Sequence, residues 1–312
     1  MPVPMRDGTI LFADVYHPAE GRPAPVLICR TPYDKGNRAQ VNGSLDVLRA
    51  VQSGYAVVIQ DVRGRYSSGG TFDAFHNEAR DGYDTVEWCA GQNWSTGKVG
   101  MYGRSYHALT AWQAALARPP HLAAIVPGIT ASDYHEGWTY QGGAFCLGFN
   151  LSWALAFLAT ETLWRLRAEI PDFETVWANH LAAVDSARCH FSDLPLDEIA
   201  ALKVEDCAPY YFDWLAHPDY DDFWREIDVE AHYPEIDIPA LNVGGWYDIF
   251  LGGTLRNYLG MREQGETEAA RAGQRLLIGP WAHQTPLSNT VGAVDFGYQT
   301  LQNRFGFDHD GV

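Results

Sequence analysis

Along this chain, short apolar runs alternate with longer stretches whose apolar positions recur every three to four residues. Residues 8–16 (GTILFADVY) alternate in the period-two pattern of a half-exposed strand. PVLICR (25–30) and YAVVIQD (55–61) are continuous apolar runs bounded by turn residues, as strands buried on both faces are. Between them 43–53, and further on 79–92 (ARDGYDTVEWCAGQ), have the spacing of amphipathic helices. KVGMYGRS (98–105) predicts a strand, 106–118 a helix stopped by Pro119-Pro120, and HLAAIVPG (121–128) another strand. Strand and helix alternating at these intervals predict a doubly wound α/β sheet.

The rhythm breaks after Gly128 and resumes at IPALNVGGW (238–246), a helix near 252–264 and QRLLIGPW (274–281). Residues 132–236 are rich in Trp and Tyr and mostly helical in pattern, with no clear βαβ unit. The expected organisation is one α/β domain from 1–131 and 237–312, interrupted by a helical cap at 132–236. Within it, 144–160 (AFCLGFNLSWALAFLAT) is apolar for 17 positions but broken by Gly148, Asn150 and Ser152. A membrane-spanning helix needs about 20 residues, so a buried or cap helix is predicted and no membrane partner is expected.

Composition narrows the function classes. With 46% hydrophobic and 13% aromatic residues the chain is ordinary globular material rather than disordered. Its net charge is −17, from 39 acidic and 22 basic residues, and no run of five basic residues occurs. Nucleic acid and anionic membrane both require clustered Lys and Arg, so nucleic acid is not an expected partner. Cys29, Cys89, Cys146, Cys189 and Cys207 form an odd set without a C-x-x-C pair, which suits free thiols of a reduced, cytoplasmic compartment better than disulfides or zinc. The opening MPVPMRDGT shows no basic region leading into an apolar stretch, so no signal peptide is expected. His76, His107, His135 and His190 lack metal-ligand spacing, and no metal or other cofactor is expected.

Candidate chemistry begins at Gly103-Arg104-Ser105-Tyr106-His107-Ala108, between a predicted strand and a predicted helix. A nucleophile elbow needs a tight turn there, so that the serine hydroxyl stands at the helix N-terminus and the next backbone N–H faces a developing oxyanion. Small residues let strand and helix approach; Gly103 meets this, while His107 departs from strict G-x-S-x-G. Asp248 follows one later strand in GGWYD (244–248) and His283 follows the next in GPWAH (279–283). Singly, Asp248 also reads as a helix N-cap and His283 as a surface loop residue. Jointly, in the order Ser–Asp–His and each at a strand end, they read as a catalytic triad.

With those motifs in place, the chain resembles the cocaine esterase and X-prolyl dipeptidyl-peptidase family of α/β-hydrolases. The resemblance runs through MRDGTILFADVYHP (5–18), RTPYDK (30–35), QDVRGRYSSGGTF (60–72), GRSYHALTAWQAA (103–115), HPDYDDFW (217–224), GGWYDIF (244–250) and IGPWAH (278–283). The family's elbow reads G-x-S-Y, then a variable and a small residue, so His107 and Ala108 are regular members. The resemblance implies Ser105 as acyl nucleophile, His283 as general base and acid, and Asp248 as its orienting carboxylate. It also implies that the Tyr33 hydroxyl joins the Tyr106 backbone N–H as oxyanion hole. The Asp61-Val62-Arg63-Gly64-Arg65 turn is a further hallmark, read as a structural turn with ion pairs.

Aromatic residues at 138, 140, 145, 149, 153, 157 and 164 crowd the cap, and their ordinary role is core. In relatives with esterase activity, cap tryptophans and an aromatic two positions after the catalytic Asp line the acyl pocket, which implies Trp138, Trp153 and Phe250 as substrate-binding. Ile249, Phe250 and Leu251 carry no charge after Asp248, which disfavours an amino-acyl substrate held there by carboxylates. Asp219–Asp222 reads as solvated surface. The expected activity is therefore a serine carboxylesterase taking small esters with an apolar or aryl acyl group. An amidase or X-prolyl dipeptidyl peptidase is the alternative, and a non-catalytic binding module on a hydrolase scaffold the alternative of another class. Relatives continue into a C-terminal jelly-roll domain for which Val312 comes too soon. A more open site, association with another subunit such as a homodimer, and a truncated chain all remain open at this point.

Overall fold

The computed structural model describes residues 1–19, 21–37, 43–283 and 288–300. In chain order the sheet strands are β1 (Pro2–Pro4), β2 (Ile10–Tyr16), β3 (Ala24–Thr31), β4 (Ala56–Asp61), β5 (Ser95–Arg104), β6 (Leu122–Gly128), β7 (Leu241–Tyr247) and β8 (Arg275–Ala282). Among the described residues they form one eight-stranded sheet in the order β1-β2-β4-β3-β5-β6-β7-β8. β1 with β2 and β2 with β4 pair antiparallel, and the remaining neighbours are parallel. The apolar run of β4 explains its place, for all its residues are buried, as a strand covered on both faces requires.

The helices of this sheet are α1 (Val47–Gln52), α2 (Glu78–Ala90), α3 (Tyr106–Leu116) and α4 (Leu251–Gln264). α1 begins later than its periodicity predicts because Asp46 takes the N-cap, its carboxylate accepting the Arg49 N–H at 3.1 Å. Its Val47 and Ala50 pack with Cys29, Val57, Ile59 and Tyr102 in one buried cluster. Because β3, β5, β7 and β8 run parallel, the turns that follow them open at the same edge of the sheet. Tyr33, Ser105, Asp248 and His283 lie in or just after those turns.

The chain divides into two compact units, one of them Tyr134–Glu226. The segment 227–236, read from sequence as part of the insertion, belongs with the sheet unit instead. Val229 N–H donates to the Ser132 carbonyl at 3.0 Å, and the Tyr233 hydroxyl donates to Asn257 Oδ1 on α4, also at 3.0 Å. Within the inserted unit the 144–160 stretch is helical from Leu147, as α-helix to Trp153, a π-helical turn over Ala154–Ala159, and α-helix again over Thr160–Arg165. Among the described residues no helix is long and apolar enough to cross a membrane. The five cysteines are unpaired, and burial pushes the thiols of Cys29 and Cys207 up to about 12.

Candidate active site

β5 hands over to α3 through a single residue, Ser105, whose φ of 55° and ψ of −124° lie outside the ordinary basins. A non-glycine residue held there stores on the order of 1–3 kcal/mol of strain. The surroundings hold it firmly: Ser105 N–H donates to the Gly128 carbonyl at 2.9 Å, and its own carbonyl accepts from Ala108 and Leu109 N–H, each at 3.0 Å. The turn is so tight that a β-carbon on Gly103 would lie 2.3 Å from Cβ of His107. Only glycine fits.

Asp248 and His283 reach the same place from β7 and β8. Here too close approach selects glycine, since a β-carbon on Gly245 would stand 2.2 Å from the Trp281 carbonyl oxygen. The Asp248 side chain is fully enclosed; Oδ1 accepts the Phe250 N–H at 2.7 Å and Oδ2 lies 3.0 Å from His283 Nδ1. On the far side of the ring, Nε2 lies 3.0 Å from Ser105 Oγ. A carboxylate only accepts, so Nδ1 carries the hydrogen and Nε2 is left with a lone pair aimed at the hydroxyl. Such an arrangement can take a proton from Ser105 without any side chain moving. Phe250 stands edge-on to the imidazole, 5.0 Å between centroids, and limits its rotation.

Tyr106 is the first residue of α3 and fully buried. Its hydroxyl accepts from Phe75 N–H and donates to Glu78 Oε1, both at 3.0 Å. Glu78 in turn receives Arg30 at 2.6 Å, and all three side chains are buried. Burial raises the Glu78 carboxyl above its usual range, with Arg30 opposing it. Tyr33, half-buried, donates its backbone N–H to Thr31 Oγ1 at 3.0 Å and sets its ring across that of His107.

The turn at Asp61 builds the Tyr33 loop from the other side. Asp61 Oδ1 accepts Lys35 N–H at 2.7 Å, Oδ2 accepts the Ser67 hydroxyl at 2.7 Å, and Arg65 donates to the Pro32 carbonyl at 3.1 Å. Burial raises the Asp61 carboxyl, against these hydrogen bonds. Arg63 bridges Asp81 and Asp7 at 2.6 and 2.8 Å. Trp138 and Trp153 lie buried in the inserted unit, where their rings meet each other at 5.4 Å and Trp153 stacks on Trp214. Sequence reasoning passed over Thr31, Arg30 and Glu78. Arg30 and Thr31 lie in the RTPYDK segment, but the partners that give them a role, Glu78 and His107, are far along the chain. Among the described residues no group of three or more His, Cys, Asp or Glu could hold a metal ion.

The sheet order, the strand-to-helix elbow and the turns after β7 and β8 define an α/β-hydrolase fold. A family model described as X-Pro dipeptidyl-peptidase (S15 family) matches residues 7–285. The cocaine esterase of Rhodococcus sp. (strain MB1 Bresler) is 35% identical over 293 residues, which is 93% of this chain and 49% of that protein. Among solved structures, an aminopeptidase from a marine-sediment Thaumarchaeota archaeon superposes with a TM-score of 0.68 at 24% identity, covering 94% of this chain and 50% of that one. An α-amino acid ester hydrolase superposes with a TM-score of 0.67 at 23% identity, covering 98% of this chain and 52% of that one. The likeness to those two structures is one of fold. The chain belongs to the X-Pro dipeptidyl-peptidase (S15) family, and it spans about half the length of the curated relatives it matches.

Proposed function

We propose that this protein is a serine hydrolase acting on carboxylic esters through a covalent acyl-enzyme. The observation that carries this reading is the unbroken contact from Asp248 through His283 to Ser105, two spans of 3.0 Å. Ser105 Oγ attacks the ester carbonyl carbon while its proton passes to His283 Nε2, and Asp248 stabilises the imidazolium so formed. The carbonyl oxygen becomes an oxyanion and accepts hydrogen bonds from the Tyr106 backbone N–H and the Tyr33 hydroxyl. Collapse breaks the bond to the alcohol, which leaves with the proton from His283. A water molecule then gives a proton to His283 as it attacks the acyl carbon; the bond to Ser105 Oγ breaks, Oγ takes that proton back from His283, and the carboxylic acid leaves.

Preference for an apolar or aryl acyl group is supported by Phe250 beside the imidazole and by the uncharged run Ile249–Leu251. The assignment of Trp138 and Trp153 to the same role rests on the family resemblance alone. The 35% identity to a protein named cocaine esterase favours ester substrates. The family description favours a second reading, release of X-Pro dipeptides, which would need an anionic group for the free N-terminal amine. Hydrolysis of p-nitrophenyl butyrate tests the first reading. The wild type is expected to turn it over, and Ser105→Ala to lose at least about 10³-fold in kcat. Equal rates in the two proteins would overturn it. Faster turnover of a Gly-Pro anilide than of the ester would favour the peptidase.

A further inference from the structure

The carbonyl of the residue just before the nucleophile is linked to the Tyr33 loop by a chain of hydrogen bonds with a defined direction. His107 Nδ1 lies 3.0 Å from the Arg104 carbonyl, which can only accept, so Nδ1 carries the ring hydrogen. His107 Nε2 is then the acceptor, and the Thr31 hydroxyl, 2.8 Å away, donates to it. With its hydrogen committed, Thr31 Oγ1 offers a lone pair to the Tyr33 N–H at 3.0 Å. The Tyr33 and His107 rings also meet edge to face, with centroids 5.5 Å apart.

We propose that His107 and Thr31 are positioning residues that set the Tyr33 hydroxyl against the reacting carbonyl, holding the two halves of the oxyanion hole in register. One half, the Tyr106 N–H, is fixed by the elbow itself. The other comes from a loop more than 70 residues away in sequence, so its register with the elbow depends on contacts between the two, among them this relay and the edge-on meeting of the Tyr33 and Tyr106 rings at 6.5 Å. The relay is short, enclosed and rigid: Thr31 is fully buried and His107 is 5% exposed. Burial lowers His107 to about 4, so its ring is neutral at working pH and free to accept from Thr31. Asp61 and Arg65 grip the same loop independently, so cutting the relay misaims Tyr33 without releasing the loop. A displacement of about 1 Å at such a donor can cost up to about a hundredfold in rate.

This inference rests on the reading of Tyr33 as an oxyanion donor, and the experiment separates the two. kcat and KM for p-nitrophenyl butyrate are measured for Tyr33→Phe, Thr31→Val, Thr31→Ser, His107→Leu and the double variant Thr31→Val/Tyr33→Phe. Tyr33→Phe is expected to lose about 10²–10³-fold in kcat. Thr31→Val, nearly the same shape without the hydroxyl, and His107→Leu are expected to lose about ten- to a hundredfold in kcat with KM within about twofold. Thr31→Ser, which restores the hydroxyl, should stay near the wild type. In the Tyr33→Phe background Thr31→Val should add almost nothing, because the hydroxyl it aims is already gone. A crippled Tyr33→Phe beside an unimpaired Thr31→Val, or losses that simply multiply in the double variant, would overturn the relay alone. An unimpaired Tyr33→Phe would remove the premise as well. Should His107→Leu fail to fold, the Thr31 pair still decides.

Discussion

His107 shows how much a single position in the elbow carries. It sits in the first turn of α3, its ring is buried, and its Cβ and backbone together exclude any side chain at Gly103. From sequence it is a histidine without metal-ligand spacing, at the variable position of the family's elbow. Its partner Thr31 was invisible, since nothing in either segment announces a contact across 76 residues. Burial also gives the residue a measurable signature. Its pKa falls from 6.5 to about 4 in the folded protein, with desolvation the largest cause. Between those values the unfolded chain binds a proton that the folded one refuses, so stability falls as pH drops through that window. At about 1.4 kcal/mol per pH unit, the loss attributable to His107 is on the order of 3 kcal/mol. Urea unfolding of the wild type and of His107→Leu at pH 7 and pH 4 reads it. The wild type should lose more stability on acidification than the variant by about that amount; equal losses would contradict the assignment.

Strands and helices were the most legible level, for a physical reason. The apolar runs of β3 and β4 are local patterns, and burial along them leaves a run of that kind few other places to go. Less legible were features set by packing or capping. α1 starts late because Asp46 caps it, and the helix predicted over 106–118 closes at Leu116, with Arg118 turned to a φ of 56° before the prolines. Residues 227–236 looked like part of the insertion, yet Tyr233 locks them to α4 through Asn257 and the ring of Tyr233 fills the space a β-carbon on Gly260 would need. The site, by contrast, was readable as an ordered set of strand-end residues, because the fold places consecutive parallel strand ends at one edge. The junction of β5 and α3 makes a prediction at this scale. Gly103→Ala forces a methyl group to 2.3 Å from His107 Cβ, and overpacking of that kind costs about 1–3 kcal/mol. Denaturant unfolding should show the loss together with reduced activity. A variant as stable and active as the wild type would mean that the elbow is looser than its geometry.

For the molecule as a whole, the sheet unit supplies the serine, aspartate, histidine and both oxyanion candidates from turns after β3, β5, β7 and β8. Only the tryptophans assigned by resemblance come from Tyr134–Glu226, where the visible role of Trp138 and Trp153 is aromatic packing. The chain as a whole carries a net charge of −17, which disfavours a polyanion for the proposed reaction. The proposed chemistry rests on the sheet edge. Reaction with a fluorophosphonate probe, followed by peptide mapping, asks directly whether the Ser105 hydroxyl is activated. Rapid, stoichiometric labelling of Ser105 is predicted for the wild type, slowed at least about 10³-fold in a folded His283→Ala variant. A wild-type protein whose Ser105 stays unlabelled, or labels no faster than in His283→Ala, would contradict the account.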